Sequence, residues 1–296
     1  MSRPVAHDLP RLVASFTSRK VVVLGDLVAD HYIYGQTDRV SREAPVLVVR
    51  HESSEVTLGG AANAAANARA LGAEVVAVGV VGRDEMGAQL RTAFGRHDVQ
   101  LAAVELPPLV TETKTRILAG GLNTSRQQML RLDRGNPVPF PPAAAQALVV
   151  ALERAVAGAD AVLVSDYGGG VVGEATRAAL ARFRKQGVRV VVDSRYDLGA
   201  LTGFSAAKPN EPELALLTGL PVDDDRGVEL LAAHGTRAPV DVTGAGDTVM
   251  AAFTLALAAG ATPRQAAEVA NVAGALVVLK PGTATVSAAE LQAELG

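Results

Sequence analysis

The chain has 296 residues, 28 basic and 31 acidic side chains for a formal net charge of −3, and no cysteine. Near-balanced charge argues against nucleic acid or an anionic membrane surface as the main partner, and the lack of thiols excludes disulfides and thiolate metal sites and fits a reducing cytoplasm. A hydrophobic content of 49 % is enough for an ordinary core, built as one large α/β domain with a small appendage or as two compact domains.

The first twenty residues hold no long apolar run, so no signal peptide is expected. The first strand-like segment is VVVLGD, Val21 to Asp26, an apolar run ending in a turn. From about Thr37 to Leu58 the pattern is strand-like with little helical period. GGAANAAANARALGA, 59–73, is Gly-Gly followed by a strong helix former, and EVVAVGVVG is another buried strand. DEMGAQLRTAFGRH reads as an amphipathic helix. Residues 109–134 hold two alternating runs about a Gly-Gly-Leu-Asn-Thr connection, which predicts an antiparallel hairpin.

After the Pro-rich NPVPFPP segment the strand–helix alternation resumes through ADAVLVSDY, VRVVVDSR and FSAAKPN. Val249 to Ala261 is the longest apolar stretch, too short to span a bilayer, and predicts a buried helix. Nearly all-apolar strands alternating with helices imply an α/β fold, a mostly parallel sheet covered on both faces in three α/β/α layers. The segments that break the rhythm predict a small separate sheet serving as a β lid over residues 36–57 and 109–135, with the α/β domain formed by 1–35, 58–108 and 136–296.

Four places carry candidate chemistry. In DVTGAGDTVMAAF, 241–253, Gly244, Ala245 and Gly246 open a helix whose free N–H groups and dipole make an anion site. Asp247 in its first turn suits the task of taking a proton from a hydroxyl that attacks a phosphoryl group. It also suits an acid that merely favours the helix start. Gly59, Gly60 and Asn63 either admit a ligand to the backbone or form a plain turn. Asp26 and Asp30 follow the first strand's carboxyl end, where α/β sheets bind ligands, or act as turn residues. Asn210 and Glu213 in KPNEPE fit a capping box, or a pair positioning Mg²⁺ and its waters. With five His and no HExxH, a His-based metal site is not expected.

In this order, the Asp30 strand, Gly59-Gly60-Ala61-Ala62-Asn63, Asn210-Glu211-Pro212-Glu213 and Asp241-Val242-Thr243-Gly244-Ala245-Gly246-Asp247 resemble the ribokinase-like (PfkB) carbohydrate kinase family. The resemblance runs from about Lys20 to Val286. Within the family, GDLVADHYIYG, TKTRILAGGLNTSRQQMLRLD, SDYGGGV and GTATVS look closest to the kinases of heptose 7-phosphate in ADP-heptose synthesis.

The resemblance implies ATP and Mg²⁺ on the large domain, a sugar phosphate under the lid, and Asp247 as catalytic base. Gly244, Ala245 and Gly246 would stabilise the transferring phosphoryl. Asp30, Gly59, Gly60 and Asn63 would hold sugar hydroxyls. Asn210 and Glu213 would order Mg²⁺ through water. Asp193, Arg195, Thr243, Asn271 and Gly282 would line the nucleotide side, and Asp241 with Thr243 would hold a monovalent cation such as K⁺. A substrate phosphate calls for cations; Lys114, Arg116, Arg126 and Arg131 lie on the hairpin and Arg42 on the earlier lid segment. A homodimer through the lid is expected, with Val46 to Val49 on a covered face.

The chain departs from the family at two places. Only 30 residues separate Glu213 from Gly244, where the family has a much longer interval that helps form the adenine and ribose side. Arg195 in VDSRYD stands where heptose kinases more often have lysine. The competing readings are another sugar or nucleoside kinase, and an inactive relative that binds sugar. A dinucleotide oxidoreductase is disfavoured because no GxGxxG follows the first strand.

Overall fold

The structure is a computed structural model that describes residues 8–121, 124–195, 198–201, 203–219, 231–235 and 238–296. The hairpin connection at 122–123, residues 196–197 and 202, and residues 220–230 and 236–237 of the short interval before Gly244 lie outside the described residues.

In chain order the elements are α1 (Leu9–Ala14), β1 (Lys20–Gly25), β2 (Leu27–Val40), β3 (Leu47–Gly60), α2 (Ala61–Ala70), β4 (Glu74–Val80), α3 (Glu85–Arg96), β5 (Gln100–Val104), β6 (Glu112–Gly120) and β7 (Gln127–Arg134). Then come α4 (Pro142–Val156), β8 (Ala161–Asp166), α5 (Glu174–Lys185), β9 (Arg189–Ser194), β10 (Ala206–Ala207), α6 (Glu211–Thr218), α7 (Ala245–Ala258), α8 (Pro263–Val277) and α9 (Ala288–Leu295).

Six strands form a parallel sheet in the order β10-β9-β8-β1-β4-β5. The middles of its central strands β1, β4, β8 and β9 are apolar because both faces are covered. Alternation along β1 sends Val21 and Val23 into a core with α2, α3, α7 and α8, and Val22 and Leu24 into a second core with α4 and α5. The small residues of α2, buried from Ala61 to Ala68, let it approach α7 closely.

The other four strands form a separate sheet, β3-β2-β6-β7, with β2 parallel to β6 and the other two pairings antiparallel. The expected hairpin is β6–β7. β2 begins at Leu27, so Asp26 alone joins it to β1, and Leu27 to Ala29 are buried where the two sheets meet. The carboxyl ends of β1, β8, β9 and β10 therefore open beneath the second sheet. In sequence they release Asp26, Tyr167, Arg195 and Lys208, which is why these distant residues converge.

Candidate active site

Helix α7 starts on Gly244 at φ +76°, a left-handed turn that an L side chain rarely adopts; a methyl group there would also run into the Asn63 amide. This turn aims the helix start at the sheet's carboxyl edge. The expected set of three anion-binding N–H groups needs a correction. The Ala245 N–H donates to the Val242 carbonyl at 3.2 Å, because the turn folds back on itself. Gly244 and Gly246 are left to present theirs, and the Lys208 ammonium lies beside Gly246.

Asp247 is 4 % exposed, and each of its carboxylate oxygens has a donor. Asn63 Nδ2 donates to Oδ2 at 2.9 Å and Tyr167 Oη donates to Oδ1 at 2.9 Å. Burial pushes this carboxyl up to about 6; the two hydrogen bonds oppose the rise, and the charges of Asp193 and Asp30 add to it. Such a carboxyl is largely ionised at neutral pH yet basic enough to take a proton. The alternative that Asp247 is a mere helix-start acid leaves its buried, doubly bonded state unexplained.

Both donors are themselves fixed. The Asn63 carbonyl accepts from Asn67 Nδ2 at 3.2 Å, and the Asn67 carbonyl accepts from Thr248 Oγ1 at 2.9 Å, which closes a polar ring between α2 and α7. Tyr167 is seated by its backbone N–H, which donates to Asp26 Oδ2 at 2.8 Å. Asp26 also accepts from the N–H groups of Gly169 and Val171. Asp26 is thus an anchor for the 167–171 loop; burial raises its pKa while these N–H groups pull it down. Burial, then the Asp247 charge, pushes the Tyr167 phenol up, so it stays a neutral donor.

One cleft of about 230 Å³ brings together Asp247, Gly244, Gly246, Asp193, Arg195, Asn210 and Glu213 from the sequence reading, with Asp166, Tyr167 and Lys208. Lys208 Nζ pairs with Asp193 Oδ1 at 3.2 Å; burial raises Asp193 and Lys208 offsets this. Asp166 Oδ2 accepts from Ser194 Oγ at 2.7 Å. Asn210 and Glu213 form the capping box: Asn210 Oδ1 accepts from the Glu213 N–H at 2.9 Å, and the Glu213 carboxylate accepts from Asn210 N and Nδ2, each at 2.8 Å. Both residues also line the cleft.

Along the second sheet, Asp30 and Arg116 pair at 2.5 Å, with side chains only 6 % and 16 % exposed. Asp30 lies against Gly59, where any side chain would collide with its carboxylate. Gly60, at φ +55°, makes the turn into α2. Lys114 reaches across to the Tyr167 ring, 4.9 Å from its centre, and Arg195 approaches the same ring at 5.3 Å. Burial, then repulsion from Arg131 and Arg195, lowers the Lys114 pKa against the pull of Asp30. Arg131 pairs with Asp133 on its own strand, Arg126 with Glu52.

Four residues expected on the nucleotide and cation side lie elsewhere. Asp241 accepts from the N–H groups of Thr243 at 2.8 Å and Gly282 at 3.0 Å, a knot joining the anion loop to the 282 turn. Burial pushes Asp241 up, but these bonds outweigh it and hold it below its ordinary value. Asn271 lines a neighbouring apolar cleft of about 620 Å³ with Leu214, Val249 and Phe253, and its amide donates to the Ala232 carbonyl at 2.7 Å.

Sequence reading singled out neither Tyr167 nor Lys208, although both stand inside quoted fragments, SDYGGGV and KPNEPE. Tyr167 directly follows the buried strand β8 and Lys208 the short edge strand β10, and that position at a strand's carboxyl end was the available signal.

A parallel sheet with a second small sheet, and a buried carboxylate at an anion-binding helix start, define a ribokinase-like phosphotransferase. Sequence comparison agrees: the profile described as pfkB family carbohydrate kinase matches residues 18–238 and 225–290, and the chain belongs to that family. The two matches overlap at residues 225–238, within the short interval before Gly244. The "Bifunctional protein HldE" of Caulobacter vibrioides is 39 % identical over 330 aligned positions, covering 99 % of this chain and 66 % of that protein. That alignment is longer than the chain, so the relative carries residues this chain lacks. The protein of the same name from Azorhizobium caulinodans is 38 % identical, covering 93 % and 64 %. The chain thus spans about two-thirds of the length of these relatives.

Among solved structures, phosphofructokinase-2 from Escherichia coli in complex with potassium superposes with a TM-score of 0.73 at 19 % identity, covering 93 % of this chain and 97 % of that one. Arabidopsis thaliana ribokinase complexed with ribose and ATP gives 0.68 at 20 %, covering 94 % and 98 %. At these identities the likeness shows the fold.

Proposed function

We propose that this chain transfers the γ-phosphoryl group of ATP to a hydroxyl of heptose 7-phosphate, giving heptose 1,7-bisphosphate. The observation that carries the reading is Asp247: a buried carboxylate pushed up to about 6, beside the anion-binding start of α7 and under the second sheet. The relatives named HldE support the heptose substrate.

The acceptor hydroxyl gives its proton to Asp247 as its oxygen bonds to the γ-phosphorus. The bond from that phosphorus to the β–γ bridging oxygen breaks, and ADP leaves. The N–H groups of Gly244 and Gly246, with Lys208, face the charge that builds on the transferring group. Lys114 supplies a cation for the phosphate already on the sugar, and Arg195 lies on the nucleotide side of the cleft. The second sheet acts as the lid, carrying Lys114 and Arg116 on one face of β6.

The residues fit Mg²⁺ in a water-mediated way. Among the described residues no group of three acidic or histidine side chains is arranged to hold a metal, and the Glu213 oxygens already accept from Asn210. Phosphates and waters would hold the ion, with Glu213 and Asn210 ordering those waters; when bound, Mg²⁺ supplies charge neutralisation on the phosphates. Asp241, held ionised, offers a monovalent cation one charged oxygen partner.

A homodimer follows from the second sheet, whose Leu130 and Leu132 are 57 % and 63 % exposed. Among the described residues no helix is long and apolar enough to cross a membrane.

The test is ATP-to-ADP turnover by the purified chain with Mg²⁺ against sugars and sugar phosphates, including D-glycero-D-manno-heptose 7-phosphate. Turnover with that heptose phosphate carries the reading. Silence across the panel from folded protein shifts it to a sugar-binding relative without kinase activity, with the short interval before Gly244 as the cause.

A further inference from the structure

We propose that Tyr167 is a positioning residue that holds Asp247 in its reactive orientation and links that orientation to the placement of the second sheet. The proposal rests on Asp247 as base and adds a residue that acts through it.

Three observations converge on this side chain. Its hydroxyl donates to Asp247 Oδ1 at 2.9 Å, so the phenol and the Asn63 amide grip the two carboxylate oxygens from opposite sides. Its backbone is locked to the end of β1 through Asp26, a buried carboxylate that binds Tyr167, Gly169 and Val171 and touches no part of the cleft. Its ring has Lys114 of β6 4.9 Å away and Arg195, just past β9, 5.3 Å away. Lys114 belongs to the second sheet and Asp247 to α7, so the Tyr167 side chain touches a residue of each.

The arrangement has a chemical consequence. A carboxylate with a free torsion presents either oxygen, or neither, to an incoming hydroxyl. Asp247 is denied that freedom, and the cost of ordering it is met in the folded protein before substrate arrives. The phenol bonds to the ionised form of Asp247 and so favours it. The other charged groups about the carboxylate are Asp193 on β9 and Asp30 on β2, both raising its pKa, with Lys208 paired to Asp193 and Arg116 paired to Asp30. Tyr167 and Asn63 are the neutral donors that oppose them.

Tyr167→Phe removes the hydroxyl and keeps the ring between Lys114 and Arg195. The expected result is a kcat lower by roughly 10- to 100-fold with a nearly unchanged KM for ATP. The acidic limb of the rate profile moves to higher pH, because the ionised form has lost a donor. Independently of turnover, carbon-detected NMR of protein labelled at aspartate carboxyls, with Asp247→Asn for assignment, reads the Asp247 titration directly. It should move upward in Tyr167→Phe. Wild-type protein that titrates near 6 but turns over no sugar would sink the kinase reading and leave the Tyr167–Asp247 contact standing. An Asp247 titration unchanged by Tyr167→Phe, or a kcat loss with no shift in the acidic limb, overturns the proposal and reduces Tyr167 to packing.

Discussion

Asn63 on α2 and Asp247 on α7 stand 184 positions apart in the chain and share a buried hydrogen bond of 2.9 Å. Asn63 is 1 % exposed, and its own carbonyl is held by Asn67. The Gly-Gly-x-x-Asn segment therefore holds the Asp247 carboxylate. Asn63→Leu should lower unfolding free energy by about 1–3 kcal/mol at pH 8, since it strands an ionised oxygen of Asp247 and leaves the Asn67 amide only the backbone carbonyl of residue 63 as an acceptor on α2. Denaturant titration checks this. The loss should shrink below pH 6, where Asp247 is protonated.

Asp247 itself should make stability depend on pH. Burial pushes it from 3.8 to about 6, so the folded protein holds this proton more tightly than the unfolded chain. The stabilisation is full below pH 3.8 and is lost as pH rises through 6. In Asp247→Asn that loss disappears, and the stability difference between variant and wild type should change by on the order of 2 kcal/mol between pH 4 and pH 8. The same variant should keep ATP binding and lose turnover by several orders of magnitude. Melting curves across pH and a turnover assay read both.

The Asp30–Arg116 pair is buried enough that breaking it is costly. Arg116→Leu leaves Asp30 charged against Gly59 and should destabilise the protein by about 3–5 kcal/mol. Adding Asp30→Asn should recover part of that loss. A double variant no more stable than Arg116→Leu would show that lost packing of the arginine on Tyr32, 5.3 Å away, dominates instead.

Leu132→Glu tests the dimer. Leu130 and Leu132 alternate with Arg131 and so share the sheet face opposite to it. A charge on that face should convert the protein to a monomer in light scattering, without changing its fold by circular dichroism. A monomeric wild type would remove the dimer from the reading.

Much of this was legible in the chain itself. Apolar strands alternating with helices require a covered parallel sheet, because backbone hydrogen bonds and side-chain burial have no other common solution there. Gly244-Ala245-Gly246-Asp247 marks an anion site with a carboxylate, since only small residues permit that turn. The capping box of Asn210 and Glu213 is local and was read as such. Tyr167, Lys208 and Asp26 carry no local signature of their roles. Their roles arise because adjacent parallel strands end together, and strand order is set by long-range packing that no short window of sequence contains. The same holds for Ala245, whose N–H is taken by Val242 through a turn that only the folded backbone shows. The sequence alone determined the class of fold and singled out Asp247; the tertiary structure decided what holds that carboxylate, since its donors come from the loop after β8 and from α2, far apart in the chain and brought together only by the sheet.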